Sequence, residues 1–145
     1  MATTSYAASD YFEQAALEIL FGYASYSGPT GLEISLHSQD PGETGSTANE
    51  LTSGTDPGYA RAAWAPNSSV SASDGAGWSI YPNSTITFTA TGNWAGQPTF
   101  AGVYDNNGNF LFRAEIDDGG GTPFAALTNG QTINFASGQL KFKLS

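Results

Sequence analysis

The chain changes its hydrophobic period once. Over residues 9–22, "SDYFEQAALEILFG", Phe12, Ala16, Ile19 and Leu20 recur at helical spacing and form one apolar stripe. Ser9 and Asp10 can cap the N-terminus, and acids in the first turn suit the helix dipole. Gly22 is a natural C-terminal stop. The spacing predicts a helix here, whose stripe must cover either its own domain's sheet or a neighbouring subunit.

From Gly31 onward the period is two. In "GLEISLH" (31–37) Leu32, Ile34 and Leu36 alternate with polar residues. In "STITFTA" (84–90) Ile86 and Phe88 alternate with threonines. In "FLFRAEI" (110–116) Phe110, Phe112, Ala114 and Ile116 oppose Leu111, Arg113 and Glu115. In "QLKFKLS" (139–145) Leu140, Phe142 and Leu144 oppose Gln139, Lys141 and Lys143. Such alternation means strands with one face buried and one wet. Weaker strands are predicted at 59–66, 77–82, 98–104 and 131–136, with turn signals at short intervals. In "FAGVYDNNGNFLFRAE" Asn107-Gly108 suits a tight hairpin turn. A calcium loop there lacks the bidentate glutamate at the required spacing. "DDGGG" (117–121) reads as a flexible connection.

These elements predict a mainly β protein: a jelly-roll-like antiparallel β-sandwich of about eight strands with one short N-terminal α-helix. It is read as one domain, 1–145, with an N-terminal helical segment (1–22) and a sandwich (23–145). The polar loops 38–57 and 67–77 have too few apolar groups for cores of their own. They are expected at the surface, ordered mainly by neighbours in an assembly.

Composition supports a packed core, with 39% apolar and 13% aromatic residues. The net charge of −9 sets 13 acidic residues against four cations, Arg61, Arg113, Lys141 and Lys143. No basic face can be built from these, which argues against nucleic acid and anionic membranes as partners. The absence of cysteine removes disulfides and thiol chemistry. No apolar run reaches the ~18 residues of a membrane span. The N-terminus lacks the basic start and apolar stretch of a signal peptide.

Candidate chemistry is sparse. The one histidine, His37, stands at a strand end beside Ser38 and reads as an ordinary surface side chain. Glu33, Glu43, Glu50, Asp105 and Glu115 could supply a glycosidase-type carboxylate pair, but alternation does not fix their separations. Trp64, Trp78 and Trp94 could stack on sugars, or fill the core, the reading preferred for at least two of them. No catalytic, cofactor-binding or metal-binding residue is assigned, so a non-enzymatic protein without cofactor is expected.

Several stretches in order carry a resemblance: the helix closing on "LFG", "GLEISLHSQDPGETG", the glutamate of "NELTSG" before "GYAR", "STITFTATGNWAG", the "FAGVYDNNGNFLF" hairpin and the final "LTNGQTINFASGQLKFKLS". Together the chain resembles a family of small tailed-bacteriophage virion proteins, labelled tail-fibre or minor tail proteins, with similar β-sandwich proteins serving some phages as capsid cement. It departs from the family at Trp94-Ala95-Gly96, where "WG" is usual, and in the polar insertion 67–82. The resemblance implies a virion structural protein assembled in the host cytoplasm. The lack of a repeat shaft or coiled coil directs the main expectation to a capsid cement or decoration protein that binds the major capsid protein. A minor tail or tail-fibre tip protein is the alternative, and a carbohydrate-binding module the alternative of another class.

The interface or scaffold candidates are Phe12, Ile19, Leu20, Glu50, Tyr59, Arg61, Lys141 and Lys143. Tyr59 can bury its ring and give its hydroxyl to a backbone carbonyl. Arg61, two residues on, shares its strand face and can grip Glu50 or loop carbonyls by two parallel hydrogen bonds. That would anchor the loop; contact with a neighbouring subunit is the other reading. Lys141 and Lys143 on an edge strand deter stray pairing or meet an acidic neighbour. With the helix stripe, they lead to an expected symmetric homo-oligomer, a dimer first.

Overall fold

The computed structural model describes residues 3–23, 28–66, 69–73 and 78–143. In chain order the elements are β1 (Thr3–Ala8), α1 (Asp10–Leu20), β2 (Leu32–His37), β3 (Ala62–Trp64), β4 (Ser69–Ser73), β5 (Trp78–Pro82), β6 (Ile86–Thr89), β7 (Phe100–Asp105), β8 (Phe110–Ile116), β9 (Thr132–Phe135) and β10 (Phe142–Lys143). One layer is a five-stranded antiparallel sheet in the order β1-β8-β7-β2-β3. The other is split into a three-stranded sheet, β10-β5-β4, and the pair β6-β9.

The alternation read from the sequence is what joins the layers. Ile34 and Leu36 of β2, Val103 of β7 and Ile116 of β8 turn inward to meet Phe88, Ile133, Phe135 and Phe142 from the opposite sheets. Thr87 and Asn134 stay on the wet side of β6-β9, hydrogen-bonded to each other at 2.7 Å. The protein is thus a mainly β, antiparallel sandwich with one helix, as the pattern predicts.

Four details differ from the pattern. β1 was not predicted, because "TTSYAA" carries no apolar alternation; it forms the edge of the large sheet by pairing with β8. The insertion is not all loop: β4 pairs with β5 from Ser69↔Pro82 to Ser73↔Trp78. β3 begins only at Ala62, so "GYAR" leads into the strand rather than opening it. In β8 the alternation breaks, because Val103 faces Phe112 while the next residue, Tyr104, faces Phe110. Leu111 is the extra residue of this bulge. It joins the core, and Phe110 turns to the other face, against Tyr104 at 5.0 Å between ring centroids. The predicted C-terminal strand is observed as Phe142–Lys143; Leu144 lies outside the described residues.

Helix α1 starts on Ser9, whose fully buried hydroxyl accepts from the Phe12 N–H at 3.1 Å and donates to the Phe110 carbonyl. One side chain thereby caps the helix and ties it to β8. Phe12 then packs on Phe112 of β8, ring centroids 4.6 Å apart.

Candidate functional site

Strand β2 has two buried faces. Ile34 and Leu36 serve the core, while Ser35 and His37 face the other way. They are covered because the polar segment after β2 folds back over the outer surface of the large sheet. Ser38 N–H bonds to the Asn49 carbonyl and Leu51 N–H to the Leu36 carbonyl, closing the loop's base. At its far end Pro41 and Gly45 are buried, and the Tyr104 hydroxyl donates to the Gly45 carbonyl at 3.0 Å. Arg113 on β8 pairs with Asp40 and approaches Glu43 at 3.9 Å. The loop is therefore held by partners within the chain, not left for neighbours to order.

Glu50, Tyr59 and Arg61 converge at the foot of this loop. The Arg61 Nε and Nη2 each donate to one oxygen of Glu50, both at 2.7 Å, and Nη1 reaches Glu33 at 3.4 Å. The guanidinium also lies 3.8 Å over the Tyr104 ring. Tyr59 stacks beside Phe88 and meets Trp94 edge-on in the core, so only its hydroxyl reaches the cluster. That hydroxyl donates to Glu50 at 3.1 Å and accepts from the Leu36 N–H at 3.0 Å. The expected partner was a backbone carbonyl. The structure gives the Glu50 carboxylate as acceptor instead, and the hydroxyl also takes the Leu36 N–H, which lies beyond the β2–β3 pairing that stops at Ile34↔Ala62. Burial opposes ionisation of Glu50, but the Arg61 and Tyr59 hydrogen bonds and the Arg61 charge hold its carboxyl below the usual range. Burial also pushes the Tyr59 phenol up, so it remains a donor.

His37 is not the surface side chain the sequence suggested: it is 0% exposed. Its Nε2 lies 2.8 Å from Ser35 Oγ, the spacing of a nucleophile–base pair. Both groups are fully buried, however, under the covering loop and beside Gly102 of β7, where only a glycine fits. A Cβ on Gly102 would fall 2.7 Å from Ser35 Oγ and 3.1 Å from His37 Nε2. No carboxylate orients the ring, and Nδ1 has no hydrogen-bond partner among the described residues. The pair is a packed element, closed to substrate in this geometry.

Burial lowers the His37 pKa from 6.5 to about 4, with Arg61 adding to the effect and Glu50 and Asp40 opposing it. Unfolding lets the imidazole take up a proton anywhere between these values. Stability is therefore complete above pH 6.5 and falls toward pH 4, by at most about 1.4 kcal/mol per pH unit from this group. The depressed carboxyls of Glu50, Asp40 and Asp56 carry the loss further as pH falls below the ordinary carboxylate range. Urea unfolding across pH 4–7 should show this slope, and His37→Gln should flatten its upper part.

A residue absent from the sequence candidates joins two loops. Asp56 is 2% exposed and accepts from Thr52 N–H (3.1 Å), Thr55 Oγ1 (2.7 Å) and, across to the segment after Trp94, Gly96 N–H (2.7 Å). Asp56→Ala removes three part-buried hydrogen bonds and should cost about 2 kcal/mol in urea unfolding. The signal was available in "TDPG", an acid ahead of a Pro-Gly turn, but nothing there shows the distant Gly96.

The remaining candidates scatter. Phe12 is half-buried on β8, whereas Ile19 and Leu20 are exposed. Lys141 lies 5.8 Å from the Tyr81 ring centroid; the Lys143 side chain is outside the described residues. Trp64 and Trp94 are buried and offer no sugar-stacking face, while the Trp78 side chain is outside the described residues. In the hairpin, Asp105 accepts from the Asn107 and Asn109 backbones and the Asn109 amide, so its carboxylate closes the turn.

What the geometry presents is a set of polar anchors paired mostly within the chain on a β-sandwich, with an exposed helix beside it. A comparison with curated proteins returns no match. The family model described as "Podophage GP4 fiber I protein gp80" matches residues 7–143, nearly the whole chain, and the protein belongs to that family of bacteriophage virion proteins.

Proposed function

We propose that this protein is a non-enzymatic structural component of a phage fibre, placed on the tail side of the particle and acting through protein–protein contacts. The family match over residues 7–143 is the observation that carries this reading, since the family's description names a fibre protein. It favours the tail-fibre alternative over the capsid-cement expectation. The cement expectation rested on the lack of a shaft in this chain, yet a fibre can place its shaft in another chain. The sandwich suits the role because its polar groups are largely paired within the chain, leaving a firm block whose surfaces are free for contact.

Quantifying the protein against the major capsid protein in purified virions tests the reading, together with antibody labelling in electron micrographs. A fibre component should be far below the capsid protein in amount and should label the tail. An amount proportional to the capsid protein, with label over the head, would restore the cement role.

A further inference from the structure

We infer that the outward face of α1 docks a partner chain that is apolar at its centre and cationic at its rim, rather than a second copy of this protein. The inference rests on the fibre reading only for where that partner sits. Helix α1 is apolar on two sides. Phe12 leans on the sandwich, but Leu17, Leu20 and Phe21, at i, i+3 and i+4, neighbour each other and stand exposed. They are 56%, 77% and 79% exposed, and Tyr23, just beyond, is 84% exposed. No residue of α1 is buried, so these apolar side chains, set among the helix's acidic residues, are left in the open. Among the described residues every exposed large hydrophobic except Ile80 lies between Tyr11 and Tyr23. Such concentration marks an interaction surface rather than chance exposure.

Charge selects the occupant. Asp10, Glu13 and Glu18 flank the patch, and the last turn carries no basic residue. The negative end of the helix dipole thus lies beside Leu20 and Phe21 without a counter-charge. A second copy has few cations to supply one. Arg61 is engaged with Glu50 and Arg113 with Asp40, which leaves Lys141 as the one described cation without a carboxylate among the described residues. Each copy also carries a net charge of −9 and would set carboxylates against carboxylates. The fitting partner is a groove of aliphatic or aromatic side chains edged by Lys or Arg, with one cation meeting the C-terminal end of α1.

The test uses the full chain, particles of the same phage assembled without it, and an amphipathic helical peptide of Leu and Lys. Leu20→Ser with Phe21→Ser removes only exposed side chains, so its thermal melt should match wild type. Its docking to the particles should fall at least about tenfold. Glu13→Lys with Glu18→Lys should weaken docking several-fold, and added salt should weaken wild-type docking. The Leu/Lys peptide should compete for the wild-type surface, whereas a Leu/Glu peptide with the same apolar face should not. Undiminished docking by the serine variant overturns the proposal, as does wild-type protein that binds neither particle nor peptide. A wild-type dimer in sedimentation that the serine variant dissolves also overturns it, since the patch would then be covered by a copy. Patch-dependent docking to the head rather than the tail would uphold the docking surface and overturn the fibre reading.

Discussion

Glu50→Ala and Arg61→Ala should each destabilise the isolated protein by about 3 kcal/mol, and the double variant by clearly less than the sum. Glu50 accepts from three side-chain donors: two from Arg61 and the Tyr59 hydroxyl. Removing it leaves the guanidinium over Tyr104 with only the long contact to Glu33, and leaves the Tyr59 hydroxyl proton without its acceptor. Removing Arg61 leaves a carboxylate, its side chain only 12% exposed, bonded to the Tyr59 hydroxyl alone among side chains. In either single variant the surviving charge bears most of the cost; in the double variant no charge survives. Arg61→Lys should recover little, since a point charge cannot make the two parallel bonds. Chemical denaturation of the four proteins measures the coupling. Additive losses, or full stability with impaired assembly, would move Arg61 from the scaffold to an interface.

The two-residue period was enough to place β2, β6 and β8 within a residue or two, because each turns alternate side chains to the opposite layer, and the weaker strands expected at 98–104 and 131–136 are observed as β7 and β9. It failed where burial does not alternate. β1 carries no apolar pattern, and the bulge at Leu111 sends Phe110 to the face that simple counting denies it. The Glu50–Arg61 contact could be anticipated from residue type, because a rare cation among many acids will find a carboxylate. His37 could not, since alternation places it on the outer face and says nothing of a loop folding over that face. The helix shows the same limit. Its stripe through Phe12, Ala16, Ile19 and Leu20 was legible, but of these Phe12 packs on β8 while Ile19 and Leu20 are exposed, and Leu17 and Phe21 lie outside the stripe. These residues matter only once the structure shows Phe12 turned to β8 and Leu17, Leu20 and Phe21 left uncovered together.

Gly45→Ala is expected to be the most damaging single methyl in the covering loop. Gly45 has φ +67, in the left-handed region where a Cβ is strained. A Cβ there would also fall 2.2 Å from Phe110 Cγ and 2.4 Å from its Cβ. Phe110 cannot yield easily. Its ring rests against Tyr104, its position is set by the bulge in β8, and its carbonyl holds the Ser9 cap of α1. The loop must lift instead, which separates the Gly45 carbonyl from the Tyr104 hydroxyl and loosens the ion pair of Arg113 with Asp40. Backbone strain and overpacking together set the expected cost at about 4 kcal/mol. Lifting the loop also opens the lid over Ser35 and His37. Gly45→Ala should therefore raise the amide exchange of residues 38–50 and move the acid transition of His37 upward, toward the ordinary imidazole value. Gly42 is the internal control, because it shares the left-handed backbone at φ +70 but has nothing within 4 Å of its Cβ position. Gly42→Ala should carry only the backbone strain, about 1 kcal/mol, and leave the His37 transition in place. Equal effects at the two glycines would mean that the contact with Phe110 does not hold the loop down.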